Sequence, residues 1–189
     1  MTHPGPVTLP QQLLDTVCAE ARAAVPLECC GLLLGRGTGV IAAHRARNTL
    51  ASPSRYRVDP ADHFAAIRRA RGMGLTVIGA YHSHPKTPPI ASARDTAEAS
   101  GEGFLHLIVQ ATSYDYRLYR VAQGSLHSVA VRVTTGLISV GGGETTRPVS
   151  EWPYAQFRRH PPRASGSAAP HTARRTQTCA DGRTGAGSR

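Results

Sequence analysis

Within residues 9–24, LPQQLLDTVCAEARAA, Leu9, Leu13, Val17 and Ala21 recur at a spacing of four, and Leu14 and Ala24 widen the same face. Positions four apart share one side of an α-helix, so this stretch reads as an amphipathic helix. Pro10 stands near its start and Pro26 ends it. GLLLG at 31–35 is short, apolar and bounded by glycine, which suits a buried strand, and GVIAAHRAR at 39–47 suggests a second strand after a glycine turn. Asp59-Pro60 is an N-cap followed by proline at the first helical position. The helix it opens runs to about Arg71 and closes at Gly72 and Gly74.

LTVIGAYHSH at 75–84 begins as a strongly apolar strand, and Pro85, Pro88 and Pro89 stiffen the loop behind it. Residues 92–100 read as a further helix. LHLIVQA, DYRLYRVA and LHSVAVRV then form three strands separated by polar turns. Helices and strands mix without strict alternation. The expected fold class is α+β (mixed α/β), one domain with helices flanking a curved sheet.

After Thr135 the pattern decays, and a Gly141-Gly142-Gly143 run leads into Pro, Arg, Ser, Thr and Ala, with WPYAQF at 152–157 as the exception. The reading is a domain over residues 1–140 and a disordered, basic, low-complexity tail over 141–189. Charge sharpens that division. Of the net +10, residues 1–140 contribute +5 from 14 Arg or Lys against 9 Asp or Glu, and the last 49 residues contribute as much again. The excess therefore concentrates in the tail and is not a footprint of the whole chain. Only Lys86 among the basic residues is lysine. No run of 18 apolar residues occurs, so no membrane-spanning helix is expected. The opening MTHPGPVTLP lacks a basic region followed by an apolar stretch, so no secretory signal is expected and the expected location is cytoplasmic. The four cysteines, Cys18, Cys29, Cys30 and Cys179, contain no C-x-x-C pair, and adjacent Cys29 and Cys30 are poorly spaced to bond each other. Cys18 and Cys30 read as small buried apolar residues.

The chemistry concentrates in Tyr81-His82-Ser83-His84-Pro85, followed after six intervening residues by Ser92-Ala93-Arg94-Asp95. Alternate side chains of an extended chain share a face, so His82 and His84 can reach one ion. The proline-rich loop returns the chain so that a helix can deliver Asp95 to the same ion. Two imidazoles and a carboxylate are a common catalytic zinc set that leaves the fourth position open. His3, His44, His63, His106, His127, His160 and His171 read instead as surface or satisfied histidines. Ser92-x-x-Asp95 is also a plain helix capping box. Taken alone, that reading wins; together with H-x-H-P upstream, it gives way to the metal reading.

The string H-S-H-P-x6-S-x-x-D resembles the JAMM (MPN-plus) metallopeptidase family. Pro26-Leu27-Glu28-Cys29-Cys30-Gly31 ahead of the apolar strand, Tyr56-Arg57-Val58-Asp59-Pro60, and Gly79-Ala80-Tyr81 are similar to compact bacterial members. The resemblance covers about residues 8–135. It implies a single MPN-like domain with His82, His84 and Asp95 as Zn2+ ligands. It also implies Glu28 as the general base that deprotonates the attacking water, and Ser92 as a hydroxyl that helps stabilise the tetrahedral intermediate. The implied activity is hydrolysis of an amide bond after the C-terminal glycine of a ubiquitin-like or sulfur-carrier protein, such as release of cysteine from a carrier. Two other readings compete. A non-catalytic MPN scaffold would lack the ligands, and all are present. Nucleic-acid binding through the basic tail is not expected, because the tail has few aromatic residues to stack on bases.

Overall fold

The computed structural model describes residues 5–99 and 101–135. The domain boundary near residue 140 and the tail at 141–189 lie outside the described residues. Among the described residues, eight strands and three helices follow in the order β1 (Val7–Pro10), α1 (Gln11–Ala24), β2 (Cys30–Arg36), β3 (Gly39–Ala46), α2 (Pro60–Gly72), β4 (Thr76–His84), α3 (Ala93–Glu98), β5 (Leu105–Gln110), β6 (Tyr116–Ala122), β7 (Ser125–Ser128) and β8 (Val131–Thr134). They form one sheet in the order β7-β6-β5-β4-β2-β3-β1-β8. Antiparallel β2 and parallel β5 flank β4, so the strand carrying both motif histidines runs through the middle of the sheet.

Two findings depart from the sequence reading. Leu9 satisfied the helical spacing, yet it belongs to β1 and is fully buried there, with Pro10 as the cap of α1. Val7 and Leu9 alternate as strand residues do, but four residues among prolines are too few to declare a period. LHSVAVRV is not one strand. β7 pairs with β6, whereas β8 pairs with β1 at the opposite end of the strand order. Three Cα steps, spanning at most about 11 Å, separate Ser128 from Val131. The two ends of the sheet must therefore approach each other, so the sheet curls strongly. At this crossover Val129 N–H donates to the Leu118 carbonyl (2.9 Å) and Ala130 C=O accepts from Val7 N–H (2.9 Å).

Each face of the sheet carries one helix. Leu13, Leu14, Val17, Cys18 and Ala21 of α1 bury against Leu33, Tyr81, Leu107 and Val109. Ala66 and Ala70 of α2 cover Leu32, Leu34 and Ala80 on the other side. The Asp59 cap forms as its sequence suggests, its carboxylate accepting from Ala61 N–H (2.8 Å) ahead of Pro60. Arg47 pairs with the same carboxylate. Cys18, Cys29 and Cys30 are buried free thiols, and burial pushes Cys29 up to about 11 and Cys30 to about 12, so neither is a thiolate nucleophile. No described helix is long and apolar enough to cross a membrane.

Candidate metal centre

Strand alternation puts His82 and His84 on one face of β4, with Ser83 turned away between them. Ser83 locks the neighbouring strand into place. Its hydroxyl accepts from Cys29 N–H (2.9 Å), and its own N–H donates to the Cys29 carbonyl (3.1 Å). Cys30 pairs with His82 across the same ladder. Glu28, two residues before Cys30, therefore enters the sheet beside the histidine end of β4. The Asn48 amide donates to the Glu28 carbonyl (3.0 Å), and Glu28 N–H donates to the Ser52 carbonyl (2.9 Å).

The His84 ring is oriented from outside, whereas His82 Nδ1 is buried without a hydrogen-bond partner. His84 Nδ1 lies 2.8 Å from the Pro88 carbonyl oxygen. A carbonyl only accepts, so Nδ1 carries the hydrogen and Nε2 presents its lone pair. The Nε2 atoms of His82 and His84 stand 3.2 Å apart. Asp95 Oδ1 lies 3.3 Å from His82 Nε2, and Oδ2 lies 3.9 Å from His84 Nε2. Donors held about 2.0–2.1 Å from a tetrahedral zinc ion are about 3.3 Å apart. The three side chains thus bring their donor atoms together within 4.8 Å of one another, a spacing that one small cation fits.

Asp95 is delivered by the cap of α3. Ser92 Oγ accepts from Asp95 N–H (3.2 Å), and Asp95 Oδ2 accepts from Ser92 N–H (2.7 Å), forming a complete capping box. Burial works to raise the Asp95 carboxyl, but the Ser92 hydrogen bonds oppose it and the group is held below its usual range. Burial keeps His82, 1% exposed, in the neutral form that a metal ligand requires. Tyr56 stacks on its ring, with centroids 4.5 Å apart at 18°. Burial, and then the charge on Asp95, push Glu28 up to about 7, with Arg94 pulling the other way. A carboxyl poised there can accept and return a proton near neutral pH.

The structure thus brings His82, His84 and Asp95 together, places Glu28 near them and puts exposed Ser92 one helical turn from Asp95. His106 corrects the sequence reading. It is buried, 7% exposed, with Nε2 lacking a hydrogen-bond partner, so it is neither a surface residue nor a satisfied one. His44 Nδ1 is likewise buried without such a partner. Position in β5 opposite Ala80 explains His106: the strand turns it toward the covered face. The sequence reading gave no role to Tyr56, Ser83, Asn48 or the Pro88 carbonyl. Only the central serine of H-S-H carried a local signal, as a small polar residue inside an apolar strand.

Fold and donor set together define a mixed α/β domain with a candidate cation site at the end of a central strand. The chain belongs to the JAMM (MPN-plus) family: residues 10–122 match the prokaryotic homologs of the JAB domain. It is 35% identical over 101 residues to a desampylase of Haloferax volcanii, covering 50% of this chain and 73% of that one. It is 35% identical over 92 residues to a probable TtuB-protein conjugate cleaving protease of Thermus thermophilus, covering 48% of this chain and 62% of the relative. A CysO-cysteine peptidase of Mycobacterium tuberculosis is 28% identical over 127 residues, 64% of this chain and 86% of its own. The solution structure of DSY2949 from Desulfitobacterium hafniense superposes with a TM-score of 0.62 at 28% identity, over 69% of this chain and 94% of that one. Relatives named as peptidases and proteases support a hydrolase.

Proposed function

We propose that this chain is a zinc-dependent peptidase that cleaves an amide bond after the C-terminal glycine of a ubiquitin-like or sulfur-carrier protein. The observation that carries the reading is the convergence of His82 Nε2, His84 Nε2 and the Asp95 carboxylate at separations of 3.2, 3.3 and 3.9 Å, beside a carboxyl poised near neutrality. Zinc in an open site of this kind supplies a Lewis acid and brings the pKa of a water ligand to about 7. The remaining work falls to side chains of the chain itself. Glu28 takes the proton of the attacking water and returns it to the leaving amine. Ser92, whose hydroxyl is exposed at the start of α3, donates to the oxygen that gains charge. Tyr56 shields one face of His82 and keeps the imidazole in place.

A conjugate-cleaving protease and a CysO-cysteine peptidase among the relatives favour a protein carrier over a free peptide. Exposed apolar side chains beside the site agree with a protein substrate. Leu27, 37% exposed, precedes Glu28, and Ile90, 54% exposed, lies in the loop between His84 and Ser92. The proposed location of this activity is the cytoplasm. Elemental analysis of the purified protein should find about one zinc per chain. His82→Ala should empty the site, whereas His106→Ala should leave the stoichiometry intact. A protein that carries no zinc and takes none up on reconstitution sinks the proposal.

A further inference from the structure

The chain between His84 and Ser92 has to set the distance between the histidine strand and the helix that bears Asp95. Proline occupies 85, 88 and 89, so the loop has few N–H groups with which to tie itself down. Its polar groups are used in sequence. The Pro88 carbonyl accepts from His84 Nδ1–H (2.8 Å) and from Ile90 N–H (2.7 Å). The Pro89 carbonyl accepts from the Tyr119 hydroxyl (3.3 Å), and Ala91 N–H donates to that same hydroxyl (3.1 Å). Ser92 and its capping box with Asp95 come next.

Tyr119 comes from a different part of the fold. It sits in β6, opposite His106 of β5, so β5 separates its strand from β4. It is 6% exposed. One hydroxyl therefore clamps both sides of exposed Ile90, immediately between the segment that fixes the His84 tautomer and the segment that caps α3.

We infer that Tyr119 is a positioning residue for the metal centre, holding the loop so that His84 and Asp95 meet at one point. The inference rests on the metal reading above. Without the hydroxyl, the Pro89 carbonyl and Ala91 N–H lose their shared partner, and the loop joining the two halves of the ligand set gains freedom. The sheet itself does not depend on that contact, because β5 and β6 pair through their backbones.

The test is Tyr119→Phe, which keeps the ring and removes the oxygen. Zinc-loaded protein is mixed with excess chelator and zinc release is followed, with thermal unfolding of the metal-free forms run alongside. A cobalt-substituted sample reports the ligand geometry through its visible absorption. The variant should still take up one zinc but release it about 10-fold faster, the low end of the scale for losing a direct partner of a metal ligand, because Tyr119 acts one step further out through Pro89 and Ala91. Its cobalt spectrum should shift. Tyr116→Phe, on the opposite face of the same strand, should match the parent in both respects. Zinc release and a cobalt spectrum indistinguishable from the parent overturn the role of Tyr119 and leave the metal centre standing. A parent that binds no zinc overturns the metal reading and this inference with it. Should Tyr119→Phe not fold, amide exchange in the unsubstituted protein decides: Ala91 N–H is expected to be protected, and free exchange there refutes the clamp.

Discussion

Glu28→Gln separates proton transfer from architecture, and its effect on stability carries a sign that can be worked out. Burial, joined by the Asp95 charge, raises the carboxyl from 4.5 to about 7 in the metal-free protein. The folded pKa lies above the unfolded one, so between these values the folded chain holds the extra proton. The stability this residue contributes is fully present below about pH 4.5 and is lost as pH rises through about 7. At about 1.4 kcal/mol per tenfold change in proton affinity, ionising Glu28 in place costs at most about 3.5 kcal/mol. Glutamine keeps the shape and never ionises. Urea midpoints of the metal-free proteins should therefore differ little at pH 5, where the loss has only begun, and favour Glu28→Gln clearly at pH 8. Buried histidines such as His106 add their own pH dependence, but they are common to both proteins and cancel in the comparison. In the zinc-loaded protein, the variant should keep its metal and cleave a carrier bearing a C-terminal amide adduct about 10²–10⁴-fold more slowly. Equal pH dependence in the two proteins would show that this carboxyl is not held uncharged. Cleavage at the parent rate would place the base elsewhere.

Asp95→Asn should act in the opposite order, weakening zinc first and losing activity as a consequence. Added zinc should restore part of the Asp95→Asn rate and none of the Glu28→Gln rate, as read by activity across a zinc titration. Gly31→Ala probes the support beneath β4: a Cβ there would meet the His44 carbonyl oxygen and a Tyr81 ring carbon without room for either. It should destabilise the fold by about 1–3 kcal/mol in thermal melts, and an unchanged melting temperature would show that β2 and β4 can part without cost.

Much of this architecture could be read from periodicity. The α1 stripe at a spacing of four, the Asp59-Pro60 cap and the apolar run ending in H-S-H each follow a local rule that the fold obeys. Readings failed where a residue served two patterns or where the partner was remote. Leu9 fits the helical stripe and also alternates with Val7, and pairing with β8, more than 120 residues away, chose the strand. LHSVAVRV was broken by closure of the sheet, which no local window contains. The supports of the candidate site are remote in the same way. Tyr56 reaches His82 because the loop before α2 is pinned by Asn48, whose side chain bonds the Glu28, Arg55, Leu50 and Arg57 backbones. Tyr119 reaches its loop from β6. Nothing beside either tyrosine in the sequence points to such a contact.

The Ser92-x-x-Asp95 signal was ambiguous for a reason that the structure turns into an advantage. A capping box and a metal ligand look like rival uses of one carboxylate, yet a carboxylate has two oxygens. Oδ2 is held by Ser92 N–H at 2.7 Å, while Oδ1 faces His82 Nε2 at 3.3 Å. The cap fixes the side-chain rotamer that a ligand needs and draws the carboxyl toward its ionised form, both before any ion arrives. His84 follows the same logic: a structural hydrogen bond to Pro88 selects the tautomer that leaves Nε2 bare. In both cases the ordinary bond that stabilises a loop or a helix end also prepares the donor. A helix-capping reading of such a motif is therefore no argument against a metal reading, and the two are told apart by what the unbonded atom faces. Here those atoms face one another.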